Sequence, residues 1–184
     1  MNKMENMEIK QLVVSMSLPI IISMVIQALY NIVDSIFVAK ISSDALTAVS
    51  LCYPVQTIII AIACGTAVGF NTLLARYLGE KKFDYANNTM MHGILLGFVN
   101  GLVFLVLGLL FSNVFLSLFT SDQNVIPLAN TYIRICTMFS FSVFVQIIFE
   151  RIMQATGNAI YNMVMQGAGA IINIILDPIL IFGW

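Results

Sequence analysis

The sequence predicts an all-α integral membrane protein with five transmembrane helices. Of its 184 residues, 60% are hydrophobic and only 9% are charged, whereas soluble domains carry about a quarter charged residues. The charges fall at helix-length intervals, and the apolar stretches between them reach the roughly 20 residues that a bilayer span requires. Short polar turns separate the stretches, which predicts helices near residues 11–39, 45–76, 86–112, 126–150 and 159–183.

Each predicted helix corresponds to one apolar stretch of the sequence. The first, second and fifth contain long charge-free runs, and the third contains only His92. The fourth is interrupted by Arg134, whose long side chain is expected to extend to the membrane interface. Connections this short make neighbouring helices antiparallel. The uncharged runs are residues 11–33, 45–75 and 152–176, and the run with the histidine is 85–121.

Two features of the sequence predict how these helices begin and pack. Ser42 to Asp44 are suited to cap the second helix, and Asn158 the fifth. The stretches "GTAVG" and "GILLGFVNG" place small residues on one helix face, which allows neighbouring backbones to approach closely.

Most basic residues fall on one predicted side of the membrane, and the positive-inside rule makes that side cytoplasmic. Residues 1–10 are therefore expected in the cytoplasm, and residues 11–184 as a multi-pass segment of the cell membrane. Lys40 stands alone on the other side. Five spans leave the C-terminus outside, and this odd count indicates a chain that stops early. The cytoplasmic basic residues are Lys3, Lys10, Arg76, Lys81, Lys82 and Arg151.

The composition argues against several other classes of protein. A net charge of −1 without a basic tail gives no reason to expect a nucleic-acid partner. No Ser–His or HExxH arrangement is present, so an enzyme is not expected, and neither is a cofactor. Cys52, Cys64 and Cys136 have no CxxC spacing, which favours ordinary small buried side chains over a disulfide or zinc site.

Polar side chains form a stripe along each of two predicted helices. An unpaired acid inside the bilayer costs about 2.5–3.5 kcal/mol, so stripes that each lead to an acid indicate a water-accessible cavity. In the fifth helix, Gly169 and Ala170 are expected to fill a gap in the stripe. The first stripe is Ser23, Gln27, Asn31 and Asp34, flanked by Tyr30, and the second is Asn162, Gln166, Asn173 and Asp177.

The two acids are expected at matching depths. Asp34 lies about 9 Å below the outer end of the first helix, and Asp177 about 10 Å below that of the fifth, at 1.5 Å per residue. Two such carboxylates that meet either hold a proton or recruit a hard cation, and the amide oxygen of Asn173 is a suitable third ligand. Pro178 frees the carbonyl of Ile174 beside the site.

Four segments, in order and in register, resemble the multidrug and toxin extrusion (MATE) family of transporters. They are "PIIISMVIQALYNIVDSIFVAK", "RYLGEKKFDYA", "ERIMQATGN" and "NIILDPILIFG". The resemblance covers residues 9–184 and implies twelve helices in two lobes, with export of organic cations and other drugs in exchange for sodium or protons. It assigns the N-lobe cation site, including any Na⁺, to Asp34, Asn173 and Asp177.

The stripe residues are expected to line the substrate cavity, and these are Gln27, Tyr30, Asn31 and Gln166. The resemblance adds Glu150 as an acid that contacts the drug or takes part in coupling. From the residues alone, Glu150 beside Arg151 is expected to form an ion pair at the cytoplasmic interface. The family has a sixth helix and a C-terminal lobe beyond the last residue of this sequence, which predicts an N-lobe fragment of a six-helix lobe.

Two alternatives to drug transport remain at this point. A lipid-linked saccharide flippase of the same superfamily would need basic residues in its cavity, and Arg134 is the only one within a predicted span. A non-transporting truncated membrane subunit would form a stable complex with another membrane chain and would show no gradient-driven flux.

Overall fold

The computed structural model describes residues 8–183, and all regular structure within that range is helical. Residues 1–7, most of the predicted cytoplasmic segment, lie outside the described range, as does Trp184. The helices are α1 (Ile9–Ile41), α2 (Ser43–Gly79), α3 (Phe83–Phe119), α4 (Val125–Met138), α5 (Ser140–Ala155) and α6 (Ala159–Phe182).

Five segments of the described chain can cross a bilayer. The helices α1, α2, α3 and α6 are each long and apolar enough, and α4 and α5 together form a fifth span with a bend of 45°. The predicted all-α membrane fold with five spans is therefore confirmed. With 37 residues each, α2 and α3 measure about 55 Å, well beyond the roughly 30 Å of a hydrocarbon core.

The fourth span corrects one expectation, because the sequence predicts a continuous helix over 126–150. The structure divides it at Phe139, where hydroxyl groups donate to nearby backbone carbonyls. Thr137 Oγ1 donates to the Ile133 carbonyl at 2.8 Å, and Ser140 Oγ donates to that of Thr137 at 2.7 Å. Such side-chain bonds compete with the backbone N–H groups of the helix and bend it.

The chain forms two compact units, and the first described here is the central unit, Ser42–Ile152. Its core joins α2, α3 and α4 near the start of α2 and continues where Phe144 of α5 packs on α2. The Phe104 and Phe144 rings stack with their centroids 5.7 Å apart. The buried apolar residues of these two clusters are Ala48, Cys52, Leu116, Val125, Ala129 and Ile133, and then Ile59, Ala63 and Phe144.

Glycines on α3 allow close helix packing within the central unit. A Cβ atom at Gly93 would lie 2.6 Å from the Phe70 ring, and one at Gly101 would lie 2.5 Å from the Cα of Phe141. The "GILLGFVNG" stripe therefore packs as the sequence predicts. The "GTAVG" stripe does not pack within the described chain, because a Cβ at Gly65 or Gly69 would meet nothing within 4 Å.

The helical-pair unit comprises the described residues up to Ile41 and those from Met153. It consists of α1, the end of α5, and α6. Gly157 ends α5 with a φ of +82°, a backbone conformation that glycine adopts at little cost. Asn158 takes the predicted N-cap position of α6 but makes no side-chain capping hydrogen bond.

In the central unit, Ser42 caps α2 as the sequence predicts. Its Oγ accepts a hydrogen bond from the Ala45 N–H at 3.0 Å.

Candidate functional site

Within the helical-pair unit, α1 and α6 pack side by side and run in the same direction. A Cβ atom at Gly167 would lie 3.9 Å from Cδ1 of Ile26, and farther along both helices the Asp34 and Asp177 carboxyl groups interact electrostatically. From the first of these pairs to the second, the residue number increases on both helices, which requires the helices to be parallel. This direction brings acids near the ends of two distant segments of sequence to the same level.

The polar stripe of α6 lies on the face that packs. Asn162 and Ala170 are buried, and Gln166, Asn173 and Asp177 are half-buried. One detail of the prediction is wrong, because Gly169 is exposed and has open space around it.

Gly167 faces α1 instead, and the sequence reasoning missed it. At 100° per residue, Gly167 lies about 60° from Ala170 around the helix, whereas Gly169 lies about 100° away.

The polar stripe of α1 follows the packed face only in part. Ser23 is buried and donates from Oγ to the Pro19 carbonyl at 2.9 Å, while Asp34 is half-buried. Gln27 and Asn31 are exposed. Each step of four residues turns about 40° past a full helical turn, so the polar row rotates away from α6 and returns with the three-residue step to Asp34.

The predicted lining residue Tyr30 is half-buried, on the packed side of α1. At 100° per residue it lies about 40° from Asp34 around the helix.

We define the paired-aspartate site as Asp34, Asn173 and Asp177, at the level where α1 and α6 bring the charges of the two acids within range of each other. The Asn173 amide donates from Nδ2 to Oδ1 of Asp177 at 3.2 Å, one turn apart on α6. Oδ1 of Asn173 and Oδ2 of Asp177 are buried and accept no hydrogen bond from any residue in 8–183. Two buried oxygen acceptors without donors suit a bound proton or hard cation.

The charges and oxygens around this site are consistent with a small cation. In the part of the chain that the structure describes, neither aspartate forms an ion pair. Pro178 has no N–H to donate to the Ile174 carbonyl, so a further oxygen acceptor lies between Asn173 and Asp177 in sequence. No group of three or more His, Cys, Asp or Glu side chains within residues 8–183 could hold a metal ion, so amide or carbonyl oxygens would have to complete a coordination shell.

Glu150 is the one predicted site residue outside the helical-pair unit. It lies on α5 in the central unit and is half-buried. The paired-aspartate site therefore consists of α1 and α6 residues alone.

The MatE family model matches residues 19–179 of this chain. Among curated proteins, the FAD transporter of Shewanella oneidensis is 29% identical over 95% of this chain and 39% of its own length. The multidrug export protein MepA of Staphylococcus aureus is 28% identical over 91% of this chain and 38% of its own length. The chain thus spans about two-fifths of the length of these curated relatives.

Solved structures show the same likeness. A MOP superfamily transporter from Pyrococcus furiosus superimposes with a TM-score of 0.93 at 29% identity, covering 98% of this chain and 40% of the transporter. A multidrug resistance MATE family transporter in an outward-facing conformation gives a TM-score of 0.89 at 30% identity, over 95% of this chain and 39% of its own.

Proposed function

Since the chain belongs to the MatE family of multi-pass membrane transporters, we propose that it takes part in cation-coupled export of organic cations and drugs. The coupling ion is Na⁺ or H⁺, and it binds at the paired-aspartate site of Asp34, Asn173 and Asp177. The observation that carries this proposal is the pair of buried oxygens without hydrogen-bond donors, on Asn173 and Asp177, within electrostatic range of Asp34 on the parallel helix α1.

The physical basis of coupling is charge repulsion between the aspartates. With no ion bound, two carboxylates in a poorly hydrated site repel each other and favour separation of α1 from α6. A proton or Na⁺ between them removes that repulsion and favours the packed arrangement. A drug that binds better to the separated arrangement is then coupled to the ion, because each ligand shifts the equilibrium between the packed and separated arrangements and so changes the affinity for the other.

In this mechanism the described helices form one half of a transport cavity. Cavities of secondary transporters lie between two structural repeats, so a second lobe, either covalently attached or supplied by another chain, completes it. Gln27, Tyr30, Asn31 and Gln166 are proposed to line this cavity. Glu150 of the central unit is a separate proposed substrate contact. The protein is proposed to lie in the cell membrane with its N-terminus in the cytoplasm, because the α2–α3 turn carries Lys81 and Lys82.

The central test is efflux of a fluorescent organic cation from cells that express the protein together with its second lobe. Asp34→Asn and Asp177→Asn each remove one charge and keep the side-chain shape. Each variant is expected to lower ion-stimulated efflux at least about tenfold. Asp84→Asn, in the exposed first turn of α3, is the matched control and is expected to transport at the wild-type rate.

Wild-type efflux by both aspartate variants would remove the proposed coupling site. Melting temperatures of the purified variants separate lost coupling from lost folding. Varying Na⁺ at fixed pH, and then pH without Na⁺, identifies the coupling ion by which gradient sustains efflux.

A second candidate is transport of FAD, which the Shewanella oneidensis relative favours. FAD carries a negatively charged pyrophosphate, whereas the paired-aspartate site is acidic, so the two candidates need opposite charge in the cavity. Measuring extracellular FAD and efflux of the organic cation in the same cells distinguishes them. The lipid-linked saccharide flippase has weaker support. It needs basic residues in its cavity, and Arg134, the residue considered for that role, donates to Ser112 between α4 and α3 of the central unit.

A further inference from the structure

An apolar groove runs between α2, α3 and α4 of the central unit. Its volume is about 170 Å³, and its lining is almost entirely apolar. Ile58, Leu107 and Phe111 on its rim are 52%, 43% and 55% exposed, so the groove is open at the surface of the described helices. Ser112 and Thr137 provide its polar groups.

Arg134 lies beside one of these two polar groups. Its Nε–H donates to Ser112 Oγ at 3.4 Å, and the Ser112 hydroxyl donates in turn to Oδ1 of Asn130 at 2.7 Å. Ser112 is only 3% exposed, so it holds the guanidinium from inside the helix packing. Within residues 8–183 no carboxylate pairs with Arg134, and its terminal amino groups make no other hydrogen bond.

The depth of Arg134 matches that of a lipid phosphate. Ser112 lies seven residues before the end of α3, or about 10 Å. Because α3 is about 25 Å longer than a hydrocarbon core, about 12 Å extends beyond the core at each end if the helix is centred. With α3 centred in this way, the guanidinium lies at the headgroup level, beside a groove that extends toward the hydrocarbon layer.

We propose that Arg134 and this groove form a binding site for an anionic glycerophospholipid. The guanidinium binds the phosphate through its terminal amino groups, and an acyl chain occupies the groove past Leu107 and Phe111. A planar guanidinium can donate two parallel hydrogen bonds to a phosphate, and the positive charge without a carboxylate partner explains the choice of an anionic lipid. This site is independent of the proposed ion coupling, since all of its residues belong to the central unit.

Native mass spectrometry of the purified protein with added phosphatidylglycerol or phosphatidylcholine tests the site. Arg134→Gln is expected to lower retention of phosphatidylglycerol about fivefold and to change phosphatidylcholine retention little. Arg134→Lys should give a smaller loss, because lysine keeps the charge but not the paired geometry. Leu107→Trp, which fills the groove from its exposed rim, should lower the retention of both lipids.

Arg76→Gln is the matched control, because it also removes one arginine charge. Arg76 lies in the last turn of α2, away from the groove, and already pairs with Glu80 at 2.8 Å. It is expected to retain phosphatidylglycerol like the wild type. Wild-type retention by Arg134→Gln, or an equal loss in Arg76→Gln, would overturn the headgroup contact. If Leu107→Trp retains both lipids like the wild type, the acyl-chain assignment is overturned. The same holds if this variant loses binding of an organic cation instead of lipid.

Discussion

At the residue scale, the candidate site depends on two buried oxygens that accept no hydrogen bond within residues 8–183. They belong to Asn173 and Asp177, and an unsatisfied buried acceptor costs about 1–3 kcal/mol. The remaining atoms of the two side chains bond to each other, which fixes the orientation of both. The cost of the two acceptors is offset if a proton or cation binds there, and this connects the geometry to ion binding.

Asn173→Ala tests the contribution of the amide oxygen. Losing one ligand is expected to raise the ion concentration for half-maximal efflux about tenfold, equivalent to about 1.4 kcal/mol, with less effect on the maximal rate. Asn100→Ala is the matched control, because Asn100 bonds to Thr66 in the central unit at 3.3 Å. An unchanged half-maximal concentration in Asn173→Ala would contradict the assignment of Asn173 as a ligand.

The α2–α3 turn carries a group whose ionisation can be measured directly. Hydrogen bonds from Lys82 and then from Arg76 lower the pKa of Glu80 from 4.5 to about 2. Because the folded pKa is below its ordinary value, these pairs favour the folded turn above pH 4.5, and their contribution disappears as the pH falls from 4.5 to about 2.

Lys82→Gln removes the first of these hydrogen bonds and is expected to move the pKa of Glu80 back toward 4.5. A carbon-13 NMR titration of the Glu80 carboxyl in detergent micelles measures the change. Lys40→Gln, at the end of α1, serves as the control and should leave the titration of Glu80 unchanged. A Glu80 pKa near 4.5 in the unmodified protein would show that the pairs do not persist in solution.

At the element scale, the glycine face of α3 packs against the fourth span at its break near Phe139. Gly108 lies against the Thr137 side chain, and Gly101 lies against the Phe141 backbone, so α3 contacts the fourth span on both sides of its bend. The Ser140 hydroxyl also reaches the Gly101 carbonyl at 3.2 Å. Close approach of the backbones therefore accompanies the hydroxyl bonds at the point where the span changes direction.

Gly101→Val tests the close contact, because the added Cβ would meet backbone atoms that cannot rotate away. We expect a loss of about 1–3 kcal/mol in stability, seen as a lower melting temperature of the purified protein. Gly69→Ala, with nothing within 4 Å of its added Cβ, is expected to be neutral or up to about 1 kcal/mol more stable. Equal melting temperatures for the two variants would contradict the packing role of Gly101.

At the scale of the whole molecule, the distribution of charge sets the orientation in the membrane. The α2–α3 turn carries Lys81 and Lys82, whereas the α3–α4 turn has Asp122 and no basic residue. Within the central unit these turns lie at opposite ends of α3. The positive-inside rule therefore predicts that the α2–α3 turn faces the cytoplasm.

Single cysteines in the two turns test this orientation after the three native cysteines are replaced by alanine. A membrane-impermeant maleimide is expected to label Gln123→Cys in intact cells, and Lys81→Cys only after the membrane is permeabilised. Both residues are exposed in turns, so accessibility within the protein does not limit labelling. The reverse pattern would invert the proposed topology.

The sequence by itself determined the fold class, the number of spans, the α3 glycine face and the family. Hydrophobic length and charge spacing act locally along the chain, because a bilayer requires each span to satisfy its own backbone hydrogen bonds. Helical spacing and matching depth predicted that Asp34 and Asp177 lie near each other with Asn173 one turn away, and the family resemblance implied the same three residues. The polar stripe of α6 could be placed on its packed face from helical period alone.

Only the tertiary structure decided which of the predicted residues pack between the helices. The rotation of Gln27 and Asn31 away from α6, the contact at Gly167 and the break at Phe139 all depend on which helix lies beside which. Arg134 is a further case, since no sequence pattern indicated that Ser112, 22 residues earlier, would contact its guanidinium beside a groove. Contacts between distant segments depend on packing geometry. Periodicity within one helix shows which residues share a face, but not which other helix packs against that face.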